Sequence, residues 1–535
     1  MKFTVLSLLC CACLFPPSPL VAQEHAHHHA AAEALGTVNF PVSCAPAVQK
    51  TFTRGMALLY SFEYEQAQRA FENAAKDDPV CAMAYWGQGM SLYHQLWDQP
   101  LKASLTKGAE LLGKASGLKA TPREKGYIQA LTIFYKDSGN VGHQQRATAY
   151  CEAMKGVMER NPEDHEAAVL YALSLLASGS ESDTELTNAK AAVAILTKLF
   201  DEQPDHPGIA HYIIHSCDHP KMASLALPAA RKYAAIAPAS AHAVHMPSHI
   251  FARLGLWQDD IQSNLRAVEI ADSMAGMRLH GAHHKIHSMD FLQYAYLQVG
   301  DDASAKKQVD AILAMKESDV DADFVDYFQS AQAGFAMSYA IERRQWTEAM
   351  ALEPRSDGEP YTKSAFYWGR AVAAGHLHDA AAAQDALKHY DEMLAATRKG
   401  RKPYIAESLR RERKIVEAWA QYASGKQDEA VKDLTAVADE QDKVGKRETE
   451  LPAREMLADM MLDAGKAQEA LAQYEISLKT DPNRFNGLAG AAAAAEKLQQ
   501  REKAAGYYAQ LLKNCSGSHS LRPELQQAKL LVAVN

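Results

Sequence analysis

Past its first two dozen residues the chain has no apolar run long enough to cross a bilayer. Phosphate-cradling glycine loops, a nucleophile elbow and paired-cysteine zinc motifs are all missing, which removes the commonest sequence signatures of nucleotide and acyl chemistry. HExxH is missing too: residues 211–215 read HYIIH, without the glutamate a zinc peptidase uses as general base. The net charge is −9 and no basic stripe stands out, so nothing is placed to neutralise phosphates and no nucleic-acid partner is expected. Gly-rich strand patterns and hairpin-turn dipeptides between alternating apolar residues are absent, which argues against a sheet. Alanine, by contrast, is abundant and favours helix.

Cysteine is scarce, and its placement is informative. Three of the eight cysteines lie in the first 13 residues, inside an apolar run from Phe3 to Phe15 that follows Lys2 and precedes Pro16, Pro17, Pro19 and LVA at 20–22. This layout reads as a secretory signal peptide over 1–22, cut near Ala22, with a lipoprotein reading on Cys10, Cys11 or Cys13 as the weaker alternative. The mature protein is then expected in the periplasm or outside the cell, with no transmembrane segment. Five cysteines remain: Cys44, Cys81, Cys151, Cys217 and Cys515. An odd number leaves at least one free thiol, and Cys44 with Cys81 is the first pair to expect, because they flank the first helical hairpin. Cys217 is either a ligand or a small buried residue.

A period of about 34 residues organises nearly everything after residue 47. Its clearest unit is Gly55, Ala67, Phe71, Ala74 and Pro79, spaced 12, 4, 3 and 5 apart. The frame recurs as Ala458, Ala470, Tyr474 and Pro482, then as Ala492, Ala504 and Tyr508. Gly369/Ala381 and Ala418/Ala430/Leu434/Val437 also fit, and Pro204 and Pro238 close two units in the middle. This pattern resembles the tetratricopeptide repeat (TPR), in which small residues let helices A and B approach, an aromatic fills the gap and proline ends helix B. The resemblance implies an all-α, right-handed α-solenoid of about ten TPR-like hairpins. The expected organisation is a signal peptide (1–22), a flexible His-containing segment (23–46, with His25, His27, His28 and His29), N-terminal hairpins (47–125), central hairpins (126–300) and a C-terminal array (301–535). Breaks in the period near 98–125 and 274–286 suggest insertions or long loops, and 352–362 reads as a turn or hinge. Trp86, Tyr93, His94 and Trp97 form an aromatic stretch best read as helix-core packing.

Histidine is the surplus. Eleven of 22 fall between His206 and His287, and three stretches each contain a His-x-x-x-His pair: His211/His215, His245/His249 and His283/His287. Residues four apart stack on one helix face, with Cβ atoms roughly 5–6 Å apart. What the TPR resemblance implies is that helix A of each unit faces a concave groove. Its positions there place His211, His215, Asp218 and His219 in one unit, His242, His245 and His249 in the next, and His287, Asp290 and Tyr294 in a third. Adjacent helices pack about 8–10 Å apart, so imidazoles from neighbouring helices can meet at one ion. The candidate metal ligands are therefore His211, His215, His219, His242, His245, His249, His287 and Asp290. His283 and His284 fall before the third helix in this frame. Pro247 either kinks a helix between His245 and His249 or occupies the first turn of a helix that starts at Met246. Nitrogen-rich ligation suits zinc, copper or iron.

The chain also resembles a group of exported bacterial repeat proteins that share the CAMAYWG (81–87) and HMPSHIF (245–251) segments. That likeness implies fold and export. Two functions follow from the sequence. One is an exported scaffold that binds a protein or peptide in its groove and carries a His-rich metal site. The other is a metal-dependent hydrolase or oxidoreductase built on the solenoid.

Overall fold

The computed structural model describes residues 34–96, 99–180, 183–276, 281–320, 324–400 and 402–534. The expected signal peptide and the HAHHH tract lie outside them. Among the described residues there are helices and turns but no strand. The first part runs α1 (Gln49–Tyr60), α2 (Tyr64–Asp77), α3 (Ala82–Ser91), α4 (Lys102–Ser116), α5 (Pro122–Tyr135), α6 (His143–Arg160), α7 (His165–Ala177) and α8 (Thr187–Glu202). The middle holds α9 (Pro207–Ser216), α10 (Ala223–Ile236), α11 (Ala241–His245), α12 (Pro247–Arg253), α13 (Trp257–Gly276) and α14 (Ala282–Gln298). Then come α15 (Asp302–Ala314), α16 (Val325–Glu342), α17 (Trp346–Ala351), α18 (Pro360–His376), α19 (Ala380–Lys399), α20 (Ala406–Ala423) and α21 (Gln427–Val444). The last are α22 (Ala453–Asp463), α23 (Ala467–Thr480), α24 (Phe485–Lys497), α25 (Arg501–Asn514) and α26 (Pro523–Val534).

Each helix packs on its chain neighbour, which makes the molecule an all-α solenoid of hairpins. The repeat residues show why. A Cβ placed on Gly55 or Gly87 would fall 2.7 or 2.5 Å from the ring of Phe71, so α1 and α3 both close onto that aromatic. Tyr474 and Gly490 repeat the arrangement between α23 and α24, where a Cβ would sit 2.2 Å from the tyrosine ring. Ala67, Ala74 and Ala470 are fully buried at the same interfaces. Within the stretch 98–125, Lys102–Ser116 form helix α4, and α5 begins with a Thr121–Glu124 capping box. Residues 353–359 are non-helical, in keeping with the turn expected there.

Two features go beyond a simple array. Residues 34–45 form no helix and pack against both N-terminal and central hairpins, with Leu35, Val38 and Phe40 buried and the Thr37 amide bonded to the Asp205 carbonyl at 3.0 Å. The flexible segment expected over 23–46 is thus a packed strap from residue 34 onward, because apolar side chains on it fill gaps between repeats. Cys44 at the strap's end is disulfide-bonded to Cys81, the pair expected from their flanking positions. The solenoid also returns on itself: α9 packs on α1, and α14 packs on α24. Trp257 Nε1 donates to the Asn483 carbonyl at 2.8 Å, and buried Arg484 is bonded to Glu342, Glu455 and Tyr294. These contacts bring both ends of the chain to the central repeats, where the histidines are.

Candidate metal centre

Three consecutive A-type segments carry the histidines. Helix α9 starts at Pro207, with the His206 ring capping it by accepting the Ile209 amide at 3.2 Å. Helices α11 and α12 meet at Met246, whose backbone is itself right-handed helical. Pro247 therefore opens a second short helix almost in line with the first, and the His245/His249 spacing survives the break. Helix α14 begins at Ala282, so His283 and His284 lie in its first turn and not before it. The unseen factor was a helix one turn longer than the repeat frame allows.

Six of the seven candidate histidines form two abutting triads. His211, His215 and His242 each offer a nitrogen within 4.8 Å of the others, and His245, His249 and His287 do the same. Within the first, His211 Nε2 is 3.1 Å from His242 Nε2; within the second, His245 Nε2 is 3.1 Å from His249 Nε2. Two nitrogens so spaced, each ~2.05 Å from one ion, subtend about 100° there, a normal coordination angle. Across the boundary, the rings of His215 and His249 are 6.1 Å apart and those of His242 and His245 6.2 Å.

The outer nitrogens are held as ligand imidazoles commonly are. His211 Nδ1 donates to the Tyr60 carbonyl at 2.6 Å, and His245 Nδ1 donates to Asn264 Oδ1 at 2.6 Å. Asn264 is oriented in turn by donating Nδ2 to Asp260 Oδ1 at 2.7 Å. His249 Nδ1 donates to Asp218 Oδ2 at 2.8 Å and to Glu448 Oε1 at 3.0 Å. With their Nδ1 atoms so engaged, His245 and His249 turn two lone pairs toward each other at 3.1 Å unless a proton or a cation lies between them. His215 Nε2 is buried without a hydrogen-bond partner.

Electrostatics separate one ring from the other five. Burial pushes His211 and His287 down to about 3, and burial followed by neighbouring imidazolium charge puts His215, His242 and His245 well below the ordinary histidine value. These five are neutral at neutral pH, the form that coordinates metal. Burial also opposes the charge on His249, but Glu448 and Asp218 outweigh it and raise this ring to about 10. A phenyl ring seals each triad. Phe62, in the turn after α1, lies against His211, His215 and His242, and Phe291 lies against His245, His249 and His287.

His219 and Asp290 belong to neither triad. The His219 ring packs on Gly445, and its Nδ1 accepts the Lys221 amide at 3.2 Å. Asp290 accepts from Thr449 Oγ1 at 3.0 Å. Both face residues 445–452, which cross over from the C-terminal repeats and take up Asp290 through Thr449. Cys217 is buried, its thiol pushed up to about 12 by burial and then by Asp218, and it joins no ligand group among the described residues. Asp218, His249 and Glu448 also converge, but Arg253 already supplies their cation: its Nε donates to Asp218 Oδ1 at 2.9 Å and its Nη2 lies 3.4 Å from Glu448. Beside this group is a cavity of about 400 Å³, lined by Asp218, Arg253, Glu448 and Gly445 to Arg447 among others.

Sequence reasoning missed Asn264, Asp260, Tyr60, Phe62 and Glu448. Asn264 lies on a B helix, outside the concave positions the repeat frame ranks. Tyr60, Phe62 and Glu448 arrive from repeats about 150 to 200 residues away, as the separations of 151 and 199 between bonded residues show.

No family model matches the chain, and no curated protein matches it. Among solved structures, the TPR domain of P58(IPK) has 16% identity and a TM-score of 0.21, covering 69% of this chain and 99% of that one. A human IFIT1 dimer with m7Gppp-AAAA has 12% identity and a TM-score of 0.35, covering 91% and 99%.

Proposed function

We propose that the protein is a metalloprotein whose two histidine triads hold transition-metal ions inside a closed helical solenoid. The observation that carries this reading is the pair of facing Nε2 atoms in each triad, with outer nitrogens anchored and five of six rings held neutral. Two buried imidazole lone pairs turned toward each other, as at His245 and His249, are costly unless something electropositive sits between them. Three protein ligands per ion leave a coordination position open, the arrangement of a reactive site rather than a purely structural one. Hydrolytic and redox chemistry both fit that description. A peptide laid along the wall is supported less well, because Phe62 and residues 445–452 already cover the histidines. Export of the mature chain belongs to this reading. It is supported by the leader-like N-terminus and by the Cys44–Cys81 disulfide.

The test is metal analysis of protein purified without an affinity tag, stripped with chelator and reloaded with single metals. About two equivalents of one transition metal are expected, given two three-nitrogen sites. His245→Ala and His249→Ala should each lose metal from the second triad while far-ultraviolet circular dichroism stays that of the parent. Less than about 0.1 equivalent after reconstitution sinks the proposal.

A further inference from the structure

We infer that the two triads form one coupled centre: a pair of copper ions that reacts with dioxygen. The inference rests on the metalloprotein reading above and deepens it. Its basis is the composition of the pair. Each triad offers three imidazole nitrogens, and neither triad includes a carboxylate or thiolate among its ligand atoms, among the described residues. The nearby acids are spent elsewhere. Asp218 and Glu448 bond to the outer nitrogen of His249 and to Arg253, and Asp290 bonds to Thr449. A non-haem iron site of the two-histidine, one-carboxylate type therefore lacks its acid, and a thiolate-bound zinc lacks its sulfur. All-imidazole ligation with an open position suits copper, which also binds most tightly of the first-row divalent ions.

Charge selects the oxidation state. Imidazole ligands bring no negative charge, and the two acids beside them, Asp218 and Glu448, share Arg253, so two divalent ions would bring four positive charges into a buried site closed by Phe62 and Phe291. Two Cu(I) ions bring two. Dioxygen then takes one electron from each copper and becomes a dianion at the peroxide level. Two Cu(II) with that dianion again sum to two positive charges, so the step moves electrons without changing the charge the pocket must hold. Four imidazoles on the shared boundary, His215 against His249 and His242 against His245, with rings 6.1 and 6.2 Å apart, put the two open positions side by side. One small diatomic can span them.

The experiment loads metal-stripped full-length protein with Cu(I) without oxygen, counts copper, and then admits oxygen. The expected result is about two coppers per chain and uptake of about one dioxygen per two coppers. An intense near-ultraviolet charge-transfer band should appear, and the oxidised sample should give little electron paramagnetic resonance signal because the two spins pair. His242→Ala and His245→Ala should each keep one copper and, once oxidised, show the full signal of an isolated Cu(II). If two coppers bind but the parent protein shows two uncoupled Cu(II) signals or takes up no oxygen, the coupled centre is wrong and the metalloprotein reading stands. Two tightly bound zinc ions that exclude copper would likewise overturn the copper pair and leave the metalloprotein reading in place. If no metal binds at all, both fall. Should either variant fail to fold, copper stoichiometry, oxygen uptake and spin intensity of the parent still decide.

Discussion

His249 differs from its neighbours in one respect, and that difference sets the behaviour of the metal-free protein. Its Nδ1 donates to two carboxylates, whereas the other rings donate to a backbone carbonyl or an amide or meet one another. The charged and titratable groups facing it are Asp218, Glu448, Arg253, His215, His245 and His287. In the absence of metal its proton stands where the second ion would sit, between two Nε2 atoms 3.1 Å apart. The pH dependence follows. His211 and His287 have folded values of about 3 against an ordinary value of about 6.5, so protonation favours the unfolded chain. Their stabilisation is complete above pH ~6.5 and is lost as pH falls toward 3, at about 1.4 kcal/mol per pH unit for each ring. His249 has the opposite sign: its contribution is complete below pH ~6.5 and is lost as pH rises toward 10. Chelator-stripped protein should thus be most stable near pH 6.5, with urea midpoints falling on both sides. A midpoint that keeps rising from pH 6.5 to 9 would mean that His249 is not charged in the folded state. Metal should remove the basic limb and steepen the acid limb, since an ion on the folded protein displaces the His249 proton and keeps protons off the same nitrogens, while the unfolded chain still takes them up below pH ~6.5.

At the scale of elements, much of the centre was legible and some of it was not. The small-residue and aromatic frame gives the hairpins because each unit's buried Gly, Ala and Phe or Tyr contact only adjacent helices, so the pattern is local in sequence. Histidines four apart on α9 and across the α11–α12 junction then follow from helical geometry, because Met246 keeps a helical backbone ahead of Pro247. The start of α14 was misplaced by one turn because the frame counts back from Gly300, while the helix extends to Ala282. Residues 445–452 carry no repeat signal, yet they bring Glu448 to His249 and Thr449 to Asp290. Gly445 is what allows this segment to leave α21. Its φ is +86° with ψ 175°, a region essentially closed to residues with a Cβ, and a Cβ there would sit 2.9 Å from His219 Cδ2. Gly445→Val should cost about 1–3 kcal/mol and displace Glu448 from His249. The check is a two-part measurement: thermal unfolding should shift downward, and the basic-limb loss of stability assigned to His249, which starts near pH ~6.5, should end at a lower pH and be smaller. A variant that unfolds like the parent with the same basic limb would show that residues 445–452 do not set the charge on His249.

At the scale of the whole molecule, the centre exists because the solenoid closes. Repeat periodicity encodes contacts between neighbours along the chain and says nothing about which distant repeats touch. That is why Tyr60, Phe62 and Glu448 were invisible while His211, His215, His242, His245, His249 and His287 were not. Closure has a buried polar lock. Arg484 donates to both oxygens of Glu342, to both oxygens of Glu455 and to Tyr294, and Asn486 adds bonds to Glu342. The arginine and both carboxylates are almost wholly out of solvent. A lock of this kind positions elements more than it stabilises them, because desolvation offsets most of the attraction. Removing only the cation is another matter: two acids are left buried without a partner. Arg484→Ala should therefore destabilise the protein by about 3–5 kcal/mol, read from urea unfolding. Glu342→Gln combined with Glu455→Gln in the Arg484→Ala background should recover part of the loss, since neutral amides are cheaper to bury than carboxylates. The effect should also reach the proposed metal centre about two helical turns away, because α14 carries both Tyr294 and His287. In Arg484→Ala, His287 should be the first ligand to loosen, so the second triad should lose metal affinity while the first keeps its own. Equal loss from both triads would instead mean that Arg484 supports the fold at large and has no particular hold on the wall where the histidines meet.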